Sequence, residues 1–282
     1  MSSLALTLVL VAAFAHAGWN LFAKTAEGGT AFVWLAAVAG CALYLPATVV
    51  ALVVAPGALG ATAVGFMVVS GALHSLYFVF LQRGYRDGDL SLVYPLARGT
   101  GPLLATVAAI AFLAERPSAL ALVGAALIVG AVLSFVTRPS RDQQAGIVFA
   151  LLTGVTIAAY TLWDKQAVGE QDLSPIVYFW GLGLINALLL TPWVMSRHGD
   201  LETAWRTSRR QALGVGLLSP LAYILVLFAL TKAPVSYVAP AREVSILVAT
   251  VLGTTVLAEE GLGHRLVAAA GIVLGVAALA LG

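Results

Sequence analysis

Ten stretches of about 20 predominantly apolar residues follow one another along this chain, and that recurrence leaves few folds open. A helix of that length crosses the hydrocarbon core of a bilayer. The candidates are Leu4–Phe22, Thr30–Val54, Thr62–Leu81, Leu90–Leu113, Pro117–Val136, Gly146–Trp163, Pro175–Met195, Ala212–Leu230, Val235–Leu257 and Leu262–Leu281. The connectors are short and leave no room for a soluble domain. Of the 282 residues, 61% are hydrophobic and 10% charged, whereas a soluble domain carries nearer a quarter charged residues. Lipid therefore has to be the solvent, and the expected class is an all-α polytopic membrane protein. The first stretch lacks a basic flank and an Ala-x-Ala site, so it reads as a retained helix rather than a signal peptide.

A polar hinge, Arg138-Pro-Ser-Arg-Asp-Gln-Gln144, divides the ten segments into five and five. The halves resemble each other. Residues 97–132 align without a gap on residues 241–276, and sixteen positions are identical, against roughly four expected by chance in so apolar a composition. The identities include polar ones that lipid exposure cannot generate: Arg98 with Arg242 and Glu115 with Glu259. More loosely, Trp19-Asn-Leu-Phe-Ala-Lys24 matches Tyr160-Thr-Leu-Trp-Asp-Lys165. The expected organisation is a first repeat over 1–137, a linker over 138–144 and a second repeat over 145–282. Five helices per repeat force the second copy to enter the membrane from the opposite face. The result is an inverted repeat, which places a solute site near the midplane.

Lys and Arg in short loops orient such a chain. Ten lie in the loops after odd-numbered segments and three in the others. This puts the odd loops in the cytoplasm and both termini on the periplasmic side. The net charge of +2 is spread along the chain, so nucleic acid is not an expected partner. No HExxH, GxSxG, Walker motif or Cys/His cluster occurs, which argues against an enzyme, a metal site, a cofactor or ATP-driven transport.

Charges inside a bilayer are functional candidates by default. Arg98 and Arg242 each lie about eight residues into a segment, behind Pro95 and Pro240. Proline frees a carbonyl one turn back, so these paired positions read as a cavity, as gates, or as a clamp that ties helix ends together. Amphipathic side chains gather on other segments: Asn20, His74, Tyr77, Phe78, Tyr94, Tyr160, Trp163, Tyr223 and Tyr237. Such a set can line a pocket that holds a solute by stacking and hydrogen bonding, or it can form an interfacial belt. Glu115 and Glu259 stand just before the last segment of each half and read as structural, complementing a helix N-terminus. Segments one to eight, with these bounds, carry no interior carboxylate, and only Glu243 lies well inside a span. A facilitator or weakly coupled exchanger is then at least as plausible as a proton antiporter.

The five-plus-five pattern, His16-Ala-Gly-Trp-Asn-Leu-Phe-Ala-Lys24, Ser91-Leu-Val-Tyr-Pro-Leu-Ala-Arg-Gly99, its copy Ser236-Tyr-Val-Ala-Pro-Ala-Arg-Glu243, and the Glu115/Glu259 pair together resemble the EamA family of the drug/metabolite transporter superfamily. Within it the chain looks most like the YddG-type amino-acid exporters. The resemblance implies a monomeric, multi-pass protein of the cytoplasmic (inner) membrane that exports aromatic or neutral amino acids, or similar metabolites, by alternating access without a cofactor. Other substrates remain open, such as a phosphonate, a choline-like cation or a sugar derivative, as does a membrane scaffold without a pathway. The superfamily's small multidrug transporters rely on a glutamate in the first helix, which this chain lacks.

Overall fold

A computed structural model describes residues 1–27, 29–54, 59–134, 144–248 and 262–282. Helices dominate it: α1 (Ser3–Lys24), α2 (Gly29–Val54), α3 (Ala61–Asp87), α4 (Leu90–Phe112), α5 (Ala119–Leu133), α6 (Gln144–Lys165), α7 (Pro175–Met195), α8 (His198–Lys232), α9 (Val235–Ala241) and α10 (Leu262–Leu281). No strand occurs among the described residues. In hydrocarbon each backbone polar group needs a partner within its own segment, and the helix supplies one. Among the described residues, seven helices are long and apolar enough to cross a membrane, and Ala119–Leu133 and Ala270–Leu281 are shorter apolar helices. The protein is a multi-pass membrane protein. The full expected set of ten spans is not described, because Val235–Leu257 runs into the undescribed residues 249–261. Glu259 and most of the 138–144 linker also lie outside the described residues.

Three boundaries differ from the sequence expectation. The connector between α7 and the expected eighth span is helical, so α8 begins at His198 and breaks only at Ser208, where φ is −129°. The sixth helix does not stop at Trp163. It continues through Lys165 into a wider π turn at Gln166–Glu170, which puts Asp164 inside the span. The ninth helix stops at Ala241, and helical structure resumes at 244–248. Pro240 has no N–H to give the Ser236 carbonyl, although the Arg242 amide still donates to the Val238 carbonyl at 3.1 Å. Three-residue turns follow the proline, with the Glu243 amide donating to the Pro240 carbonyl at 3.0 Å and the Ile246 amide to the Glu243 carbonyl at 2.9 Å. This turn carries Arg242 and Glu243.

The helices pack in a definite pattern. α1 lies along α8, and α3 lies along α6; α2 faces α7, α5 faces α10, and α4 crosses both α6 and α9. Small residues let the backbones approach closely, as in other membrane helix pairs. At the α5–α10 contact, a Cβ on Gly124 would sit 2.6 Å from the Gly275 carbonyl oxygen. Any larger residue at Gly124 would push the two helices apart. Large apolar side chains such as Val54, Phe112 and Leu281 face outward, toward the lipid.

Candidate functional site

Two buried polar centres sit in the helix bundle with aromatic rings between them. The first is ionic. Arg98 on α4 and Arg242, just after α9, are 6% and 9% exposed, and Glu243 is 1% exposed. Arg98 Nη2 is 2.9 Å from Glu243 Oε2, and Arg242 Nε is 3.9 Å from Glu243 Oε1. The shorter contact is an ion pair without aligned hydrogen-bond geometry. Arg98 Nη2 also donates to Ser245 Oγ at 3.4 Å, and Arg242 Nη2 donates to the Tyr160 hydroxyl at 3.0 Å. Two N–H groups, Arg98 Nε and Arg242 Nη1, are buried without a hydrogen-bond partner. Guanidinium presents its donors in a planar fork suited to carboxylate and phosphate, and here that fork is incompletely filled. The two arginines are therefore brought together, and they share one carboxylate.

The second centre is Asp164, at 0% exposure. Its Oδ1 accepts hydrogen bonds from Ser70 Oγ and the Tyr178 hydroxyl, each at 2.6 Å, and its Oδ2 accepts one from the Tyr223 hydroxyl at 2.6 Å. The donors come from α3, α7 and α8, so four helices converge on this carboxylate. The expectation that the first eight spans hold no interior carboxylate is thus corrected. It failed because the apolar run ends at Trp163 while the helix does not. The one visible clue was the match of Asp164-Lys165 to Ala23-Lys24 in the first half, where alanine stands in place of the aspartate.

Between the centres lie His74, Tyr160 and Tyr223. The His74 and Tyr160 rings stack at 4.1 Å, and Tyr223 meets His74 edge-on at 5.4 Å and Tyr160 at 6.1 Å. Tyr77 approaches Tyr160 edge-on at 6.1 Å. His74 Nδ1 lies 2.9 Å from the Ser70 carbonyl oxygen. A carbonyl only accepts, so Nδ1 carries the hydrogen. The guanidinium carbon of Arg242 lies 5.8 Å from the centre of the Tyr160 ring. Tyr160 is buried, while His74, Tyr77, Tyr94 and Tyr223 are half-buried.

Other expected residues lie elsewhere. Phe78 touches Tyr77 but is 46% exposed, because α3 turns that position outward. Trp163 packs on Phe66 and donates to its carbonyl oxygen at 3.0 Å. The Tyr237 hydroxyl accepts from the Ser118 amide at 3.2 Å and donates to the Gly282 carbonyl at 3.3 Å, a tie among the ends of three helices. Asn20 Nδ2 donates to the His16 carbonyl one turn back at 2.9 Å. Pro95 and Pro240 are buried beside their arginines. Glu115 is structural in a way its position did not reveal. Its carboxylate accepts from the Val235 and Ser236 amides at 2.7 and 2.9 Å, capping α9 rather than its own following helix.

With this geometry in view, comparison places the second half of the chain. Residues 144–281 match the model of the EamA-like transporter family. The second half therefore resembles an EamA-like transporter domain. No curated protein matches the chain. A solved crystal structure matches over 100% of this chain and 98% of its own, with a TM-score of 0.82 and 15% sequence identity. At that identity the likeness extends to the fold alone. It covers both halves, including 1–143, which the family model leaves unmatched.

Proposed function

We propose that the protein is a secondary transporter that exports aromatic or neutral amino acids, or closely similar metabolites, across the cytoplasmic membrane by alternating access. In this reading residues 1–137 and 145–282 are two inverted five-helix repeats joined by 138–144, and the chain acts as a monomer with both termini periplasmic. The helix pairing supports the repeat. Exchanging helices one to five with six to ten maps the α1–α8 pair onto α6–α3 and returns α2–α7, α4–α9 and α5–α10 to themselves.

The observation that carries the substrate class is the juxtaposition of unfilled guanidinium donors with aromatic rings. Arg98 Nε and Arg242 Nη1 lack partners, and Arg242 lies against Tyr160, whose ring is stacked on His74. A solute carboxylate would complete the donor set, and an apolar or aromatic side chain would lie along His74, Tyr77, Tyr160 and Tyr223. Such a site favours a carboxylate over a choline-like cation, which two buried arginines would repel. Purified protein in liposomes is expected to show counterflow of labelled L-phenylalanine or another neutral amino acid. Absence of counterflow for all of the common amino acids would overturn the amino-acid reading.

A further inference from the structure

We infer that Asp164 is the carboxylate through which this transporter exchanges a proton with its solute cycle. The inference rests on the alternating-access reading but concerns a different residue and a different ligand. A carboxylate buried among membrane helices is costly unless it is neutralised or paired. Among the described residues no ion pair involves Asp164. Its charge is balanced only by three hydroxyl dipoles, and these sit on three other helices: Ser70 on α3, Tyr178 on α7 and Tyr223 on α8. Ser70 belongs to the first half of the chain and the other two donors to the second. α3 packs along α6, whereas α7 and α8, which carry Tyr178 and Tyr223, pack on α2 and α1, so rocking of α1, α2, α7 and α8 against α3, α4 and α6 draws the tyrosines, not Ser70, away from Asp164. The ionised form then loses these donors in a low-dielectric site, and protonation restores neutrality.

Glu243, the other buried carboxylate described, is a poor candidate for the same task. Arg98 pairs with it at 2.9 Å and Arg242 lies 3.9 Å away, so protonating it would leave two buried guanidinium charges uncompensated. Asp164 has no such partner to strand. When hydronium on the aqueous side protonates the Asp164 carboxylate, a hydronium O–H bond breaks as the carboxyl O–H forms, and water is left behind. The new acid O–H donates to the Tyr223 oxygen, and the Tyr223 hydroxyl hydrogen rotates away from Asp164, since a phenol can both donate and accept. Release to the opposite side reverses these steps.

The proton would report on solute occupancy because Tyr223 belongs to both places. Its hydroxyl binds Asp164, and its ring packs against His74 and Tyr160. The titratable or charged groups around Asp164 are His74 on α3, Tyr160 and Lys165 on α6, Tyr178 on α7, Tyr223 on α8 and Arg242 after α9; Arg98 on α4 is bound to Glu243. Lys165 is directed elsewhere, with Nζ donating to the Leu230 and Ala233 carbonyls at 2.6 and 3.3 Å. His74 gives its Nδ1 hydrogen to the Ser70 carbonyl. Neither competes for the Asp164 oxygens.

Two readouts on the full chain in liposomes test this. Infrared spectra taken across the pH range in which the protein stays folded should contain the C=O stretch of a buried protonated carboxyl that grows as pH falls. The band should vanish in Asp164→Asn and shift in Tyr223→Phe. Asparagine is nearly isosteric and can accept two of the three hydroxyl bonds, so this variant should fold. Identical spectra for wild type and Asp164→Asn would overturn the proposal, whatever the solute. In the second readout, an imposed pH gradient should speed L-phenylalanine uptake by wild type about tenfold over symmetrical pH. In Asp164→Asn the gradient-driven rate should collapse to the symmetrical rate, while counterflow falls less than that. Counterflow without any gradient response in wild type overturns the proton role and leaves the transport reading standing. Absence of counterflow for every amino acid overturns the amino-acid reading, and the infrared comparison still decides the proton.

Discussion

Glu243 and Asp164 are both carboxylates at essentially zero exposure in the same bundle, yet their charges are handled in opposite ways. Glu243 is held by cations, with Arg98 at 2.9 Å and Arg242 at 3.9 Å. Asp164 is held by neutral hydroxyls, three of them at 2.6 Å. An ionic centre resists any change in its charge, because removing one member leaves another unpaired. A dipolar centre tolerates a change of charge, because a hydroxyl can turn from donor to acceptor.

The variants that would break this contrast can be ranked. The largest expected effect is at Glu243→Ala, which leaves Arg98 and Arg242 as two unbalanced buried cations. A loss of about 3–5 kcal/mol is expected, visible as a much lower unfolding temperature in detergent. The paired change Arg98→Met with Glu243→Met should recover part of that loss, and failure to recover any would argue that the ion pair is not what Glu243 supplies. Asp164→Ala comes next, since it strands three hydroxyls, with an expected loss on the order of 3 kcal/mol. Asp164→Asn should cost only about 1 kcal/mol. A cost for Asn as large as that for Glu243→Ala would erase the distinction between the two centres. Tyr223→Phe removes one donor and should cost about 1–2 kcal/mol. Smallest at the site is Phe78→Ala, whose outward ring should leave solute counterflow within about twofold, while Tyr77→Ala lowers it more.

Much of the ionic centre was legible before any coordinates. Arg98 and Arg242 occupy matched positions 144 residues apart, each just after a proline, and internal repetition marks such pairs because random apolar sequence does not reproduce an arginine. The dipolar centre was not legible in the same way. Ser70, Tyr178 and Tyr223 are ordinary residues in their own helices, and no spacing rule links positions on α3, α7 and α8. Asp164 itself stood one residue past the apolar run, where hydropathy gave no reason to extend the helix. Phe78 shows the reverse error: helical spacing can group it with His74 and Tyr77, but only packing decides which edge of that face meets lipid.

Sequence alone determined the solvent, the helical class and the buried arginines, because apolar length and repeated polar identities are properties of the chain taken in order. The tertiary structure decided which charges meet. It paired Arg98 with Glu243 across 145 positions, turned Glu115 toward the start of α9, and surrounded Asp164 with hydroxyls from three helices. Those outcomes depend on which helix faces which neighbour and at what rotation, and each helix takes its rotation from packing against its neighbours rather than from its own residues.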